Sequence, residues 1–201
     1  MGFVIFMTGD CPSLENYFKP HTTMILKILI GLAVVIVILL IVIALQPASF
    51  RVERSATLAA SPAALFDQVN DHRKFTVWNP WGKMDPTVVT TFSGPDSGVG
   101  AKCAWVGKKV GAGSATIIES KPGELVRQRM DWKKPMEGVS TVDFTFKPVG
   151  DKTTVTWAMY GENGFMGKLM SLFMSCEKMC GPEFEKGLAD LDKLVTSPPA
   201  K

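Results

Sequence analysis

The most hydrophobic part of the chain is an unbroken apolar run from Ile28 to Leu45, which contains no polar side chain. The apolar residues 24–26 extend this run if Lys27 places its ammonium group among the lipid headgroups. A helix of about 20 apolar residues spans a bilayer, and each central Leu, Ile or Val favours insertion by about 0.3–0.6 kcal/mol. The pattern therefore predicts a single transmembrane anchor over residues 24–45.

A cleaved signal peptide is the alternative interpretation of this run. The apolar region of a signal peptide is usually about 7–15 residues long, and Ala44-Leu45-Gln46 is a poor cleavage site. Residues 1–23 show no periodicity, and Met24 is a second plausible initiator. We therefore expect residues 1–23 to be a disordered leader or an artefact of the start site.

Residues 46–49 form a short linker between the anchor and the rest of the chain. At about 3.5 Å per residue, this linker keeps the following domain within roughly 15 Å of the bilayer. Basic residues flank the anchor evenly, with Lys19 and Lys27 before it and Arg51 and Arg54 after it. The positive-inside rule therefore leaves open which side of the membrane the domain faces.

Beyond the linker, apolar and polar side chains alternate, as is typical of strands with one buried face. The first predicted strand is Phe50–Ala59, and six more follow Pro86. Their inward positions are Val88, Thr90 and Phe92; Ala101, Cys103 and Trp105; the segment Ala115 to Ser120; Val126, Gln128, Met130 and Trp132; Val142, Phe144 and Phe146; and Val155, Trp157 and Met159. These segments predict a curved antiparallel sheet of about seven strands.

Two short helices are predicted between the first and second strands. Ser61 supplies a capping hydroxyl before Pro62, which favours a helix from Pro62 to about Val69. Asp71 is placed to cap a second helix that ends near Trp78.

The C-terminal segment changes to a helical period. Its apolar stripe consists of Leu169, Leu172, Phe173, Cys176, Cys180, Phe184, Leu188, Leu191 and Val195. Because proline removes a backbone donor and crowds the preceding turn, we expect two helical segments that meet at Gly181-Pro182. The stripe would cover the sheet and complete an α+β domain over residues 50–198.

Composition excludes several classes of site. The chain has 201 residues, a net charge of +3, four cysteines and two histidines. This charge is too mild to indicate nucleic-acid binding by itself, and the cysteines are too few and too irregularly spaced for a disulfide scaffold, so we expect free thiols. Since His21 precedes the anchor, His72 is the one imidazole of the domain, which nearly excludes catalytic triads and histidine-rich metal sites.

Two further motifs do not support cofactor or metal binding. The segment Gly161–Lys168 has the wrong glycine spacing for a phosphate loop, and Leu169 stands where the magnesium-binding hydroxyl would be. Cys176 and Cys180 are one helical turn apart, but two thiols do not make a zinc site, which needs four ligands. We predict no cofactor and no metal.

Two lysine pairs, Lys108-Lys109 and Lys133-Lys134, fall at predicted hairpin tips. The simpler interpretation is solvated turn charge. The alternative is contact with anionic lipid headgroups, where each lysine near the surface contributes about 1 kcal/mol.

A curved sheet that grips a helix can leave a cavity lined by its large inward side chains. Gln128 is notable among them, because a buried amide is costly unless it has a protein or ligand partner. The predicted ligand-binding residues are Trp81, Cys103, Trp105, Gln128, Met130, Trp132, Phe144, Phe146, Trp157, Met159, Phe173 and Cys176.

The order of elements resembles the START-like, birch-allergen-like helix-grip (SRPBCC) superfamily, and within it the bacterial family of polyketide cyclases or dehydrases and lipid transport proteins. The matching segments are Arg51–Ser55, Trp78–Trp81, Ser93–Gly100, Gly161–Asn163 and Phe165–Met170. The chain looks like the branch of that family with an N-terminal membrane helix. The resemblance implies a deep apolar cavity between the sheet and the C-terminal helix, in a single-pass protein of the bacterial inner membrane, and carries over no catalytic residue.

The leading hypothesis is a membrane-anchored protein that binds a lipid or another hydrophobic small molecule without covalent chemistry. One rival is a cyclase or dehydratase, in which His72, Asp85 or Glu162 would have to act as the acid or base. A second rival is a cochaperone-like interaction module, which would require an exposed apolar patch on the outer face of the sheet. The short tether favours sensing, holding or local exchange of a ligand over long-range transport.

Overall fold

The computed structural model describes the backbone of residues 15–196 and the side chains of residues 23–196. The chain divides into two compact units that separate between Gln46 and Pro47. The first unit contains helix α1 (Glu15–Ala44), whose segment Thr23–Ala44 is long and apolar enough to cross a membrane, with a mean hydropathy of 3.3. Membrane anchors and signal sequences share these properties.

The predicted leader falls partly within this helix. Residues 1–14 lie outside the described residues, and residues 15–23 belong to α1, so the disordered leader or start-site artefact stays a prediction. Extending an existing helix costs far less free energy than nucleating one, so a helix that forms over the apolar segment can continue into the residues that precede it.

The second unit is built on a seven-stranded antiparallel sheet with strand order β1-β7-β6-β5-β4-β3-β2. The strands are β1 (Ser49–Leu58), β2 (Val89–Ser93), β3 (Lys102–Val106), β4 (Ala112–Lys121), β5 (Leu125–Lys134), β6 (Gly138–Val149) and β7 (Lys152–Glu162). Two register shifts between β4 and β5 mark bulges, which bend a sheet and increase its twist. The predicted seven-stranded antiparallel sheet is confirmed.

Three short helices connect β1 to β2, namely α2 (Pro62–Asn70), α3 (His72–Trp78) and α4 (Pro80–Met84). The predicted caps are present, since Ser61 accepts a hydrogen bond from the Ala64 amide and Asp71 accepts one from the Arg73 amide. Helix α4 was not predicted. Its signal is the same as that of α2, because Asn79 accepts from the Trp81 amide and a proline occupies the first helical position.

The C-terminal segment forms α5 (Phe165–Ser171) and α6 (Cys176–Thr196). The predicted break at Gly181-Pro182 is wrong, because α6 continues through Pro182 and the interruption lies earlier, over residues 172–175. The predicted stripe is therefore divided between two helices and the segment that joins them.

Tertiary contacts explain why α6 continues through a proline. Arg54 of β1 forms ion pairs with Glu177, before the proline, and with Glu185, after it. Beyond the proline, Phe184, Leu188 and Leu191 are buried against the sheet. Burying three such side chains contributes several kcal/mol, more than the roughly 3 kcal/mol that a proline costs inside a helix.

Candidate functional site

The inner face of the sheet carries most of the predicted site residues in rows that cross neighbouring strands. One row joins Cys103 to Ala115, Met130 and Ser140 across β3 to β6, and a second joins Trp105 to Gly113 and Trp132. Gln128 and Phe144 lie on the same face. This face has two parts with different packing, one filled by protein and one half-open.

The filled part lies under α6. The ring of Trp157 stacks on Phe184 with centroids 4.3 Å apart and an interplanar angle of 7°, and the Phe144 ring lies 4.8 Å from Trp157. Trp81 packs edge-on against both Trp157 and Phe184. Phe146 and Met159 are also buried in this core. In this conformation these residues contact protein, and their predicted contact with a ligand stays a prediction.

The half-open part is formed by Cys103, Trp105, Met130 and Trp132. Cys103 is buried and the other three are half-buried. The indole rings of Trp105 and Trp132 meet edge to face at 5.6 Å. This arrangement leaves large apolar surfaces that are only partly covered, as expected of a site for a hydrophobic molecule.

Two residues that support this pair were missed in the sequence prediction. Trp132 Nε1 donates a hydrogen bond of 2.9 Å to Ser140 Oγ, which fixes the indole on the inner face. A Cβ atom at Gly113 would lie 2.7 Å from a ring carbon of Trp105, so only glycine leaves room for that ring. Ser140 has the same alternation parity as Val142 and Phe144, and this signal could have revealed it.

Gln128 lies two residues before Met130 on the same face of β5, next to the half-open part, and pairs with Ile117 and Val142 in the sheet register. Its side chain is buried, with 2% exposure, and its Nε2 atom has no hydrogen-bond partner among the described residues. Leaving a buried donor unpaired costs about 1–3 kcal/mol. The indole nitrogen of Trp157 is likewise buried and unpaired. Gln128 thus offers a free donor within an apolar region.

Three cysteines lie in the second unit, with Cys103 on β3 and Cys176 and Cys180 at the start of α6. Cys176 and Cys180 are half-buried and pack against the core. Burial raises the pKa of Cys103 to about 11 and that of Cys180 to about 12. These thiols, with Cys176, are free, and Cys11 lies outside the described residues. Because they stay protonated near neutral pH, they are poor nucleophiles and poor metal ligands.

Phe173 does not join the other predicted site residues. It lies in the segment between α5 and α6 and is 77% exposed, so its predicted position on a buried stripe is wrong. The stripe assumed one continuous helix up to Pro182, whereas the helix ends at Ser171. The neighbouring helix α5 has no buried residue and exposes Phe165 and Met166. Helix α5 and residues 172–175 are therefore held by little apolar burial.

The three candidate acid–base groups, His72, Glu162 and Asp85, lie in different surroundings. His72 is buried edge-on against Phe75, and burial lowers its pKa, opposed by the backbone of Ala101. Glu162 is exposed at the end of β7. Asp85 is buried, but both of its oxygens accept hydrogen bonds, from Thr87 on one side and from the Lys109 and Val110 amides on the other.

These hydrogen bonds, with the Thr87 hydroxyl contributing most, hold the pKa of Asp85 well below its usual value, while burial opposes them. A general acid would need a raised pKa. Among the described residues, no group of three His, Cys, Asp or Glu side chains is arranged to hold a metal ion. Asp85 is therefore a structural carboxylate.

Replacing Asp85 with asparagine is expected to lower the melting temperature at pH 7 by several degrees, because an amide NH₂ would face backbone or hydroxyl donors. A carboxylate with a depressed folded-state pKa stabilises the protein above its unfolded pKa of about 4, and this contribution is lost as pH falls toward the folded value. The difference between wild type and D85N should therefore shrink below about pH 4. Tryptophan fluorescence melts of the full chain at pH 7 and pH 3 measure it.

The matched control for this prediction is D96N. Asp96 is exposed and forms a surface ion pair with Arg73, so its replacement should leave both melting temperatures unchanged. A D85N protein as stable as wild type at pH 7 would contradict the structural role of Asp85.

The outer face of the sheet is polar. Arg127 makes two hydrogen bonds to Asp143, of 2.8 and 2.9 Å, and a third to Glu119, while Tyr160 donates to Asp143. Towards β1, Ser55 and Thr156 share a hydrogen bond. This network makes its part of the outer face polar, whereas a cochaperone-like module would require an apolar patch there.

A separate groove of about 320 Å³ lies between α4 and α6. Its lining includes Lys83 and Asp190, which form an ion pair with each other. A charged groove of this kind does not suit a hydrophobic ligand, so the half-open part of the inner face is the better candidate site.

Comparisons with known proteins agree with this architecture. Residues 49–196 match the family model described as polyketide cyclase / dehydrase and lipid transport. No curated protein shows a significant sequence match to the chain.

Solved structures share the fold at low sequence identity. A structural-genomics protein from Chromobacterium violaceum is 18% identical, with 76% of this chain and 100% of that chain covered and a TM-score of 0.55. The Aha1 dimer from Colwellia psychrerythraea is 14% identical, with 75% and 99% covered and a TM-score of 0.55. Ara h 8.0201 is 8% identical, with 74% and 99% covered and a TM-score of 0.51. These likenesses confirm the predicted helix-grip fold.

Proposed function

The chain belongs to the polyketide cyclase/dehydrase and lipid transport family, and from that premise we propose that it is a membrane-anchored protein that binds a lipid or another hydrophobic small molecule. The fold of this family indicates hydrophobic ligand binding. The finer proposal is that the ligand occupies the half-open part of the inner face around Trp105, Met130 and Trp132. The protein holds the ligand without covalent chemistry.

The observation that carries the proposal is the unpaired amide of Gln128. An amide donor buried without a partner destabilises the unliganded protein, and a ligand oxygen that accepts its hydrogen bond would remove that cost. Apolar side chains surround the amide on its own face, where Val126 and Met130 are its neighbours along β5. The ligand therefore combines an apolar body with a carbonyl, carboxylate or hydroxyl oxygen.

The anchor favours the adjacent bilayer as the source of this ligand. Helix α1 has the length and hydropathy of a transmembrane span, and β1 begins only five residues after α1 ends. A tethered domain of this kind collects its ligand from the adjacent bilayer and holds, senses or exchanges it locally. The family match and the polar outer face give no support to a nucleic-acid partner.

The amide gives a direct test. Purify the full chain in lipid nanodiscs and identify the bound molecules by native mass spectrometry, for wild type and for Q128M. Methionine matches the volume of glutamine and removes the donor, so we expect ligand occupancy to fall about tenfold, as for one lost hydrogen bond in a dry site. Because the unpaired group is gone, the melting temperature of the unliganded protein should stay equal or rise.

The matched control is Q68M, which changes a half-buried glutamine of α2 outside the inner face and should leave occupancy unchanged. Equal occupancy in Q128M and wild type would remove Gln128 from the site. A wild-type protein that carries no hydrophobic molecule, in any lipid mixture that dissolves the chain, would overturn the proposed function.

A further inference from the structure

Two neighbouring hairpins present four exposed lysines. Lys108 and Lys109 lie in the β3–β4 hairpin, and Lys133 and Lys134 lie at the start of the β5–β6 hairpin. None of the four forms an ion pair with another residue in the described part of the chain. Their charge is therefore available to a partner.

The two hairpins are in direct contact. Ala112 pairs with Lys134 in the sheet register, and Gly111 lies against the Lys134 carbonyl so closely that a side chain there would collide with it. Gly111 also has a φ of +70°, a conformation that glycine adopts without strain. The four charges thus share one small surface, which we name the lysine surface.

Buried Asp85 fixes the first hairpin. Its carboxylate accepts hydrogen bonds from the backbone amides of Lys109 (2.7 Å) and Val110 (3.2 Å), which lie within the hairpin turn. The lysine side chains therefore extend from a backbone that is held to the body of the domain. A fixed backbone lowers the entropy cost of binding a partner.

Strand register places the lysine surface at one end of the sheet. Ser49 pairs with Glu162, Gly161 with Ser140, Gly138 with Trp132, and Lys134 with Ala112. Both hairpins therefore lie at the end of the sheet where β1 begins, and β1 is the strand that follows α1. Trp105 and Trp132 each precede one of these hairpins, so the half-open site is at the same end.

We propose that the lysine surface binds the anionic phospholipid headgroups of the bilayer that α1 crosses. The inference rests on the membrane anchoring in the proposed function and adds a second, electrostatic contact to it. Each lysine at an anionic surface contributes about a fivefold gain in binding. Because the half-open site shares this end of the sheet, the contact would present the site to the lipid.

Lysine acylation of the full chain in nanodiscs tests this contact. Label with an N-hydroxysuccinimide acetate reagent in discs of phosphatidylcholine alone and in discs with about one third phosphatidylglycerol, and measure each site by mass spectrometry. We expect acylation of Lys108, Lys109, Lys133 and Lys134 to be at least about threefold slower in the anionic discs, and this protection to disappear at about 0.5 M salt.

The chain provides internal controls. Lys102, Lys147 and Lys152 are exposed and belong to the other end of the sheet, so their acylation should not differ between the two kinds of disc. The variant K108Q/K109Q should lose most of the protection of Lys133 and Lys134, whereas K147Q/K152Q should retain it. Both variants keep every backbone amide, and equal melting temperatures would verify their folding.

Three results would overturn the inference: equal acylation of the lysine surface in both discs, equal protection of the control lysines, or protection by duplex DNA in neutral discs without protection by anionic lipid. The last would assign the surface to nucleic acid. Ligand occupancy measured on the same samples distinguishes a failure of this inference from a failure of the proposed function. If the chain keeps its ligand but the lysine surface is not protected, only this inference is overturned. If the mature chain lacks α1, the membrane anchoring on which the inference rests is overturned.

Discussion

Replacing Phe184 with alanine is expected to lower the free energy of unfolding of the second unit by about 3–5 kcal/mol. Phe184 is 1% exposed, stacks on Trp157 at 4.3 Å and contacts Trp81. Its removal leaves a cavity between α6 and the sheet that these rigid rings cannot fill. Urea unfolding of the full chain, followed by tryptophan fluorescence, measures the loss, because all five tryptophans belong to this unit.

Phe173 provides a matched control, because it is the same residue type on the same predicted stripe. Its side chain is 77% exposed, so F173A should change the free energy of unfolding by less than about 0.5 kcal/mol. Comparable losses in F184A and F173A would contradict the division of the stripe into a buried part on α6 and an exposed part before it.

Leucine at position 187 is expected to destabilise the second unit by about 2–3 kcal/mol, even though leucine favours a helix by roughly 0.8 kcal/mol over glycine. A Cβ atom at Gly187 would lie 2.7 Å from a ring carbon of Trp157 and 3.2 Å from Pro80 Cδ. Neither neighbour can move easily, since one is stacked in the core and the other starts α4. Helix α6 would have to shift away from the sheet.

Ala189 lies two residues further along α6 and is exposed. A189L should therefore be within about 0.5 kcal/mol of wild type in the same urea experiment. If G187L were as stable as A189L, then α6 would not approach the sheet as closely as the structure describes. Together these variants test how tightly α6 closes the filled part of the inner face.

Under the proposed function, the filled part limits where a ligand can bind. Trp157, Phe144 and Phe184 occupy the space below the middle of α6, so the available apolar surface is shifted toward Trp105 and Trp132. We therefore expect F184A to open a second apolar cavity and to broaden the range of bound molecules, in addition to lowering stability. The same native mass spectrometry used for Q128M would detect such molecules.

Much of the fold could be predicted from local sequence alone. The strand segments follow from alternation, because successive side chains of a strand point to opposite faces and one face must be buried. The starts of α2 and α3 follow from the Ser61 and Asp71 caps, which act within three residues of themselves. The apolar span of α1 follows from length and composition.

The candidate site was predicted less completely, because its members belong to different strands. Alternation placed Cys103, Trp105, Gln128, Met130 and Trp132 on the inner face, and the structure brings them together there. The sequence could not show that Phe184 fills the space beside Trp157, since that contact joins residues far apart in the chain. Alternation could have placed Ser140 on the inner face, but it could not show that the Ser140 hydroxyl accepts the indole hydrogen bond of Trp132.

Sequence by itself determined the apolar span, the strand pattern and the two caps, because each depends on neighbours within one turn or one strand. Only tertiary structure decided the course of α6 through Pro182, where Arg54 joins Glu177 to Glu185 across the proline. It also decided the partners of Asp85 and the meeting of the two lysine hairpins at the end of the sheet where β1 begins. These features depend on strand order and register, which form when distant segments bury a common core.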